Sequence, residues 1–267
     1  MIPAALRYVR AGSVEEALAA LVEPGAQTLA GGQSLVSVMK LRLARPELVV
    51  DISRLELAGI ETADGELRVG ALTTWADLAG SAELRRPALA AISECAAGIG
   101  DLQVRNRGTI GGSLAHADPA SDMPAVLLAL GASVVLKSAA AERTVETRDF
   151  FLGPFTTAIA PAELLTGIVV PLPATGSGSA YASVEHPASG FALAGAAALV
   201  RPDGSTSVAV TGIGATPFLL DAEPREALAG AEVFGDRFAP VAYRRHLAEI
   251  VVERALTSAG ARAKEDA

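Results

Sequence analysis

Ala30-Gly31-Gly32-Gln33-Ser34-Leu35 is the stretch on which the fold turns. It follows Ala26 to Ala30, which reads as a short strand, and opens Ser34 to Leu41, where Leu35, Val38 and Met39 fall at helical spacing. A glycine pair between a strand and a helix leaves backbone N–H groups pointing beyond the helix start, and glycine lets the chain approach whatever they meet. Such a turn is an anion site, with Ser34 able both to cap the helix and to give its hydroxyl to a phosphate oxygen. The same residues also suit a plain strand-to-helix turn with a Ser cap, and the spacing leaves both readings open.

Before this stretch, Leu6 to Val9 reads as a strand, and Ser13 with Glu16 forms a capping box before Val14, Ala17, Leu18 and Leu21. Gly25 closes that helix and Leu48 to Ile52 supplies a third strand, so residues 1–55 form a first α/β lobe. Asp64-Gly65, between Ile60 and Leu67 to Leu72, is a hairpin signal that opens a second lobe. Within it, Thr74 with Asp77, Pro87 to Ala97 and Asp122 to Leu130 read as helices, and Ser133 to Lys137 and Leu164 to Val170 as strands. Ala174 to Ser179 is small and flexible and places a boundary, giving lobes of 56–175 and 176–267. In the last, Ala180 to Glu185, Phe191 to Val200 and Ser207 to Ile213 read as an antiparallel sheet with Asp203-Gly204 as a turn. Pro224 to Leu228 and Val241 to Ala259 read as helices, the latter with Val241, Leu247, Ile250, Val251 and Leu256 on one side, and Ala263 to Ala267 as a frayed end.

A second glycine segment, Thr109-Ile110-Gly111-Gly112-Ser113, repeats the ingredients of the first: two glycines between hydroxyl residues, read as a loop with a nest of N–H donors. Asp122, at the next helix start, is placed either to accept hydrogen bonds from sugar-like hydroxyls or to cap that helix. One glycine segment in each of two lobes suits an extended ligand with a diphosphate held between them. Neither matches the G-x-G-x-x-G of a Rossmann unit or the G-K-[ST] of a P-loop.

Composition narrows the chemistry. With 267 residues, 51% hydrophobic and 19% charged, the chain can bury a sizeable core, and its longest apolar runs fall short of the roughly 20 residues that span a bilayer. The N-terminal segment lacks the apolar centre of a secretory signal, so the expected location is the cytoplasm. Lys plus Arg number 22 against 30 Asp plus Glu, a net charge of -8 with dispersed basic residues, which argues against nucleic acid. Cys95 is the single cysteine and cannot supply the four thiolates of an iron-sulfur cluster. His116, His186 and His246 lie far apart without metal-ligand spacing, and no Ser/His/Asp or Cys/His set stands out, so neither a catalytic metal nor a catalytic side chain is expected.

Gly31 to Leu35 with Met39-Lys40-Leu41-Arg42-Leu43-Ala44, and Val104-Arg105-Asn106-Arg107-Gly108-Thr109-Ile110-Gly111-Gly112, resemble the two FAD motifs of the flavoprotein subunits of the molybdenum hydroxylase family, which includes carbon monoxide dehydrogenase and xanthine dehydrogenase. The likeness continues through Asp118 to Pro124, Phe150-Phe151, Glu163-Leu164-Leu165 and Tyr243-Arg244-Arg245-His246-Leu247, and covers nearly the whole chain. It implies an α+β chain: a two-lobed FAD-binding domain of the PCMH type, followed by a C-terminal antiparallel sheet domain with helices. By that likeness Ala30, Gly31, Gly32, Gln33, Ser34 and Leu35 wrap the diphosphate of FAD, and Thr109, Ile110, Gly111, Gly112 and Ser113 complete it. Asp122 takes the ribityl or phosphate region, Leu165 packs against the flavin ring and Ile99 approaches it.

The likeness further implies an oxidoreductase subunit that receives electrons from a partner's iron-sulfur clusters and passes them from FAD to a quinone, NAD or oxygen. The partners implied are a large molybdenum-cofactor subunit and a small iron-sulfur subunit, in a doubled heterotrimer. The sequence departs from the family in two places. Gln33 stands where relatives often carry His, which implies dissociable FAD, and Glu185 to Phe191 stands where some relatives carry basic residues and an Asp before the aromatic. Two rival readings share the glycine segments: a stand-alone flavin oxidoreductase, which needs a substrate pocket with its own acid or base, and a non-enzymatic nucleotide-binding module, which would show no flavin absorbance.

Overall fold

A computed structural model describes residues 2–221 and 223–265. Its first sheet is built from β1 (Arg7–Arg10), α1 (Val14–Leu21), β2 (Ala26–Leu29), α2 (Leu35–Lys40) and β3 (Leu48–Asp51), in strand order β1-β3-β2 with both pairings parallel. Every residue of the central strand β3 is buried, which is why it is an unbroken apolar run up to Asp51. Ser13 caps α1 by accepting the Glu16 N–H. The Glu16 carboxylate turns back one residue further than a capping box requires, accepting the Gly12 N–H at 2.7 Å.

The second sheet begins with β4 (Ile60–Ala63) and β5 (Glu66–Gly70), joined at Asp64 and Gly65 with φ of 53° and 79°, as a tight hairpin with the strands' own twist demands. Helices α3 (Trp75–Gly80), α4 (Ala90–Gly98), α5 (Leu102–Arg105), α6 (Ile110–His116) and α7 (Met123–Ala129) follow, with short 3-10 turns at Glu83–Arg85 and Pro87–Leu89. The chain then forms β6 (Ser133–Lys137), β7 (Glu142–Glu146), α8 (Thr147–Phe150), β8 (Phe151–Gly153), β9 (Thr156–Thr157) and β10 (Leu164–Pro171). The main sheet is antiparallel in order β4-β5-β10-β6-β7, with β8 and β9 as a separate two-stranded ribbon. Six of these elements escape the sequence reading: α5, α6, which reads as a loop, β7, α8, β8 and β9. β7 is an edge strand whose residues are nearly all exposed, so it carries no apolar alternation to announce it.

The third sheet is a meander of β11 (Gly178–Glu185), β12 (Ala192–Val200), β13 (Thr206–Thr211) and β14 (Phe218–Leu219), followed by α9 (Pro224–Gly230) and α10 (Val241–Glu265). The Ala-rich β12 is buried on both faces. Ala197 and Leu199 join the core around α4 and α7, while Ala194, Ala196 and Ala198 join the core formed with Leu247, Val251 and Val252 of α10. Small side chains let both helical layers close on one sheet, and the closeness is extreme at Gly178, where a Cβ would overlap the Ala259 carbonyl.

The C-terminal helix departs from the expectation. It runs unbroken through Glu265, so Ala263 to Glu265 are helical and not frayed, while Asp266 and Ala267 lie outside the described residues. Arg262 secures the extra turn by pairing with Glu94 of α4 and donating to the Ser179 carbonyl at 2.6 Å. Val241 is 42% exposed, and the buried residue of that turn is Arg244, which donates to the Leu193 carbonyl at 2.9 Å and to Asp236 at 2.7 Å. A buried guanidinium is tolerated because these acceptors satisfy it.

Candidate functional site

The two glycine segments meet. Gly31 lies against the chain just before the second segment, so closely that a Cβ there would overlap the Arg107 carbonyl and sit 3.0 Å from Gly108 Cα. Its φ is not in the left-handed region, so glycine is required at position 31 by contact alone; Gly32, at φ 77°, is required by the turn itself. On the other side a Cβ at Gly112 would come within 3.7 Å of Ala30 Cβ. The joint is held from below by the Trp75 N–H, which donates to the Gly108 carbonyl at 3.1 Å, and by a bridge between Thr74 and Thr109. The buried Trp75 ring leaves no room for a side chain at Gly108.

Local hydrogen bonding separates the two segments. Among the described residues, no acceptor within the chain takes the N–H groups of Gly31, Gly32, Gln33 or Ser34; the first inward bond of that stretch runs from Val36 N–H to the Gly32 carbonyl at 3.1 Å. Ser34 does not cap α2: its backbone is already helical at φ -96° and ψ -59°, and its hydroxyl makes no capping bond. The expected Ser cap is therefore corrected to a free hydroxyl beside free N–H groups.

The second segment is the reverse. Thr109 to Ser113 is not a loop but the cap and first turn of α6, with the Thr109 hydroxyl accepting the Gly112 N–H. Its expected nest of donors is filled: Ile110 donates to the Thr73 carbonyl at 3.0 Å, Gly111 to the Ala71 carbonyl at 2.9 Å and Ser113 to the Thr109 carbonyl at 3.1 Å. Ile110 is also 1% exposed, so neither its side chain nor its N–H faces outward. Gly111 serves packing, since a Cβ there would stand 2.6 Å from that of Ala71. What the segment can offer a ligand is hydroxyl chemistry, from Thr109 and from Ser113, whose Oγ lies 3.0 Å from Ser121 Oγ.

Asp122 does not cap α7; its carboxyl accepts a hydrogen bond from the Tyr181 hydroxyl of β11 instead. Burial pushes this carboxyl up to about 6, against the Tyr181 hydrogen bond that pulls it down, with the Glu185 charge adding to the rise. The loop before it is clamped by the third sheet, the Thr211 hydroxyl donating to the Ser121 carbonyl at 2.7 Å and the Gly212 N–H to the Pro119 carbonyl at 3.0 Å. Leu165 is buried at an irregularity of β10, and Ile99 is partly buried beside α4, where Arg105 braces the Ile99 and Gly100 carbonyls. Sequence reasoning missed Tyr181, a lone tyrosine in β11, and the Arg107-Gly108 contact.

The histidines stand elsewhere: His116 packs on Phe155 with ring centroids 5.2 Å apart, His186 accepts the Ala188 N–H, and His246 is exposed on α10. Among the described residues, no group of three or more His, Cys, Asp or Glu could hold a metal ion, and no helix is long and apolar enough to cross a membrane.

These residues fit a diphosphate-bearing cofactor. Four unpartnered N–H groups follow one another where glycines at 31 and 32 keep side chains away, and the Thr109 and Ser113 hydroxyls lie on the segment that meets them. Comparison with known proteins agrees. A family model described as the FAD binding domain in molybdopterin dehydrogenase matches residues 4–173. The chain is 36% identical over 288 residues to the carbon monoxide dehydrogenase medium chain of Afipia carboxidovorans, covering 99% of this chain and 100% of that one. It is 42% identical over 207 residues to the glyceraldehyde dehydrogenase medium chain of Sulfolobus acidocaldarius, covering 77% and 73%. Carbon monoxide dehydrogenase from Hydrogenophaga pseudoflava superposes with a TM-score of 0.92 at 36% identity, over 98% of this chain and 99% of that one.

Proposed function

The chain belongs to the family of FAD-binding domains in molybdopterin dehydrogenases, and from that premise we propose how it holds FAD and between which partners it works. It is an oxidoreductase subunit with FAD as its cofactor, related over its full length to medium chains of molybdenum hydroxylases. When bound, FAD supplies the redox chemistry. The chain's own task is to bind it, orient it and keep one edge open to electron partners.

In this reading Ala30 to Leu35 wrap the diphosphate, with the N–H groups of Gly31, Gly32, Gln33 and Ser34 donating to it. Thr109 and Ser113 complete the site through their hydroxyls, Gly111 and Gly112 let the second segment come close enough to do so, and Ile110 anchors that segment in the core. Asp122 accepts from a ribityl hydroxyl, and Leu165 with Ile99 bounds the ring. The working units are residues 1–55 and 56–175 as the two FAD lobes and 176–267 as the third; the extents of the three main sheets support this division. The observation that carries the reading is the set of free donors converging with the second segment at Gly31.

The chain's single cysteine is buried and cannot hold an iron-sulfur cluster, so electrons reach FAD from a small iron-sulfur subunit and, before it, a large molybdenum-cofactor subunit. The three form a heterotrimer, doubled, in the cytoplasm, and FAD passes electrons to a quinone, NAD or oxygen. Matched relatives named for carbon monoxide and for glyceraldehyde support a division of labour in which the substrate is chosen outside this chain. Purification of the chain with its partners, followed by a visible spectrum and acid release of the flavin, tests the reading. The expected result is about one FAD per chain, and a colourless, flavin-free complex would overturn it.

A further inference from the structure

The matched family model ends at residue 173, before β11 begins at Gly178, yet β11 reaches the cofactor side of the molecule through one side chain. Tyr181 donates its hydroxyl to the Asp122 carboxyl across the joint between the third sheet and α7. That hydroxyl has a built seat. Gly195 of β12 lies beneath it, and a Cβ at position 195 would overlap the oxygen. Burial beside Asp122 and Cys95 pushes the Tyr181 phenol well above its ordinary range, so it stays a donor. Asp122 caps no helix, and among the described residues no other side chain bonds its carboxyl, which leaves one oxygen committed to Tyr181 and the other without a side-chain partner. A largely buried carboxyl bonded only by the Tyr181 hydroxyl and its own backbone N–H is still costly, and a further donor offsets that cost.

We propose that Tyr181 is a positioning residue for FAD: it holds one oxygen of Asp122 so that the other accepts from the polyhydroxyl chain of the cofactor, which makes the third sheet part of the FAD site. The inference rests on the FAD reading above. The groups facing the Asp122–Tyr181 pair are Glu185 at the end of β11 and Cys95 of α4, with Glu94 beside the latter. Of these, Glu185 raises the carboxyl and the Tyr181 bond lowers it, so loss of the phenol must move the carboxyl further up.

The test uses the full chain assembled with its partner chains, stripped of FAD and titrated with FAD and, separately, with ADP, which carries the diphosphate without the ribityl chain. Tyr181→Phe keeps the ring and removes the donor. The expected result is FAD affinity weakened roughly tenfold, as for loss of a hydrogen bond to a charged group, a pH midpoint of FAD affinity moved upward, and ADP affinity unchanged. Gly195→Ala, which displaces the hydroxyl from beneath, must reproduce that pattern even if Tyr181→Phe fails to assemble. If wild type binds FAD and either variant matches it in affinity and pH midpoint, or weakens FAD and ADP equally, the inference is overturned alone. A wild-type complex that takes up no FAD overturns the cofactor reading and this inference together.

Discussion

Gly31-Gly32 and Gly111-Gly112 look alike as sequence and do different physical work. The first pair keeps side chains out of a place where N–H groups remain unpaired, and one of its members exists only because another loop presses against it. The second pair sits in the first turn of a helix whose donors are all bonded, and its glycines serve contact with Ala71 and the Thr109 cap. A glycine pair between hydroxyl residues therefore does not by itself mark a donor nest. What distinguishes the two is whether neighbouring strands supply carbonyl acceptors, as Thr73 and Ala71 do for the second pair.

The largest expected effect comes from breaking the first pair. Gly31→Val drives a branched side chain into the Arg107 carbonyl, and FAD affinity in the assembled protein falls at least about a hundredfold, read by flavin titration; a nearly wild-type affinity would show that the segments do not converge on the ligand.

Next is Asp122, whose carboxyl is bonded to the Tyr181 hydroxyl. Its folded value of about 6 lies above the ordinary 3.8, so the folded chain holds this proton more tightly than the unfolded one. The associated stability is present below about 4 and is lost as pH rises through about 6. Relative to Asp122→Asn, the flavin-free wild type should lose about 2–3 kcal/mol between those limits, read by denaturant unfolding, and parallel profiles for the two would contradict it.

Gly111→Ala then lowers stability by about 2 kcal/mol through overpacking against Ala71, seen as a lower melting temperature. Thr109→Ala costs about 1 kcal/mol by removing the cap of α6. The smallest stability effect belongs to Ser34→Ala, below about 0.5 kcal/mol because no cap is lost, with its consequence confined to FAD affinity. Equal melting shifts for Thr109→Ala and Ser34→Ala would erase the contrast drawn between the segments.

Much of the fold was legible because its signals are local. The hairpin at Asp64-Gly65, the Ser13 cap and the strand Ser133–Lys137 each rest on a few adjacent residues whose chemistry admits little else. The failures are equally physical. β7 lies on an exposed edge and needs no apolar face, and the end of α10 is held by Arg262 on Glu94, a partner far away in sequence. The structure brings Ala30 and Gly31 against Arg107, Gly108 and Gly112, but the division of the glycine segments into donors, packing glycines and hydroxyls was not readable, since it depends on which carbonyls stand opposite. Tyr181 had no local signal at all, because its meaning lies in Asp122 and Gly195, neither of them near it in sequence.

From sequence alone follow most of the strands and their order along the chain, the absence of enough thiolates for an iron-sulfur cluster and the resemblance that points to FAD, all of them properties of residue type and short-range spacing. Tertiary structure alone decides which glycine is a window for a ligand and which is a packing contact, and that the third sheet touches Asp122. Hydrogen-bond saturation and van der Waals contact are set by atoms far apart in the chain, and no window of neighbouring residues contains both partners.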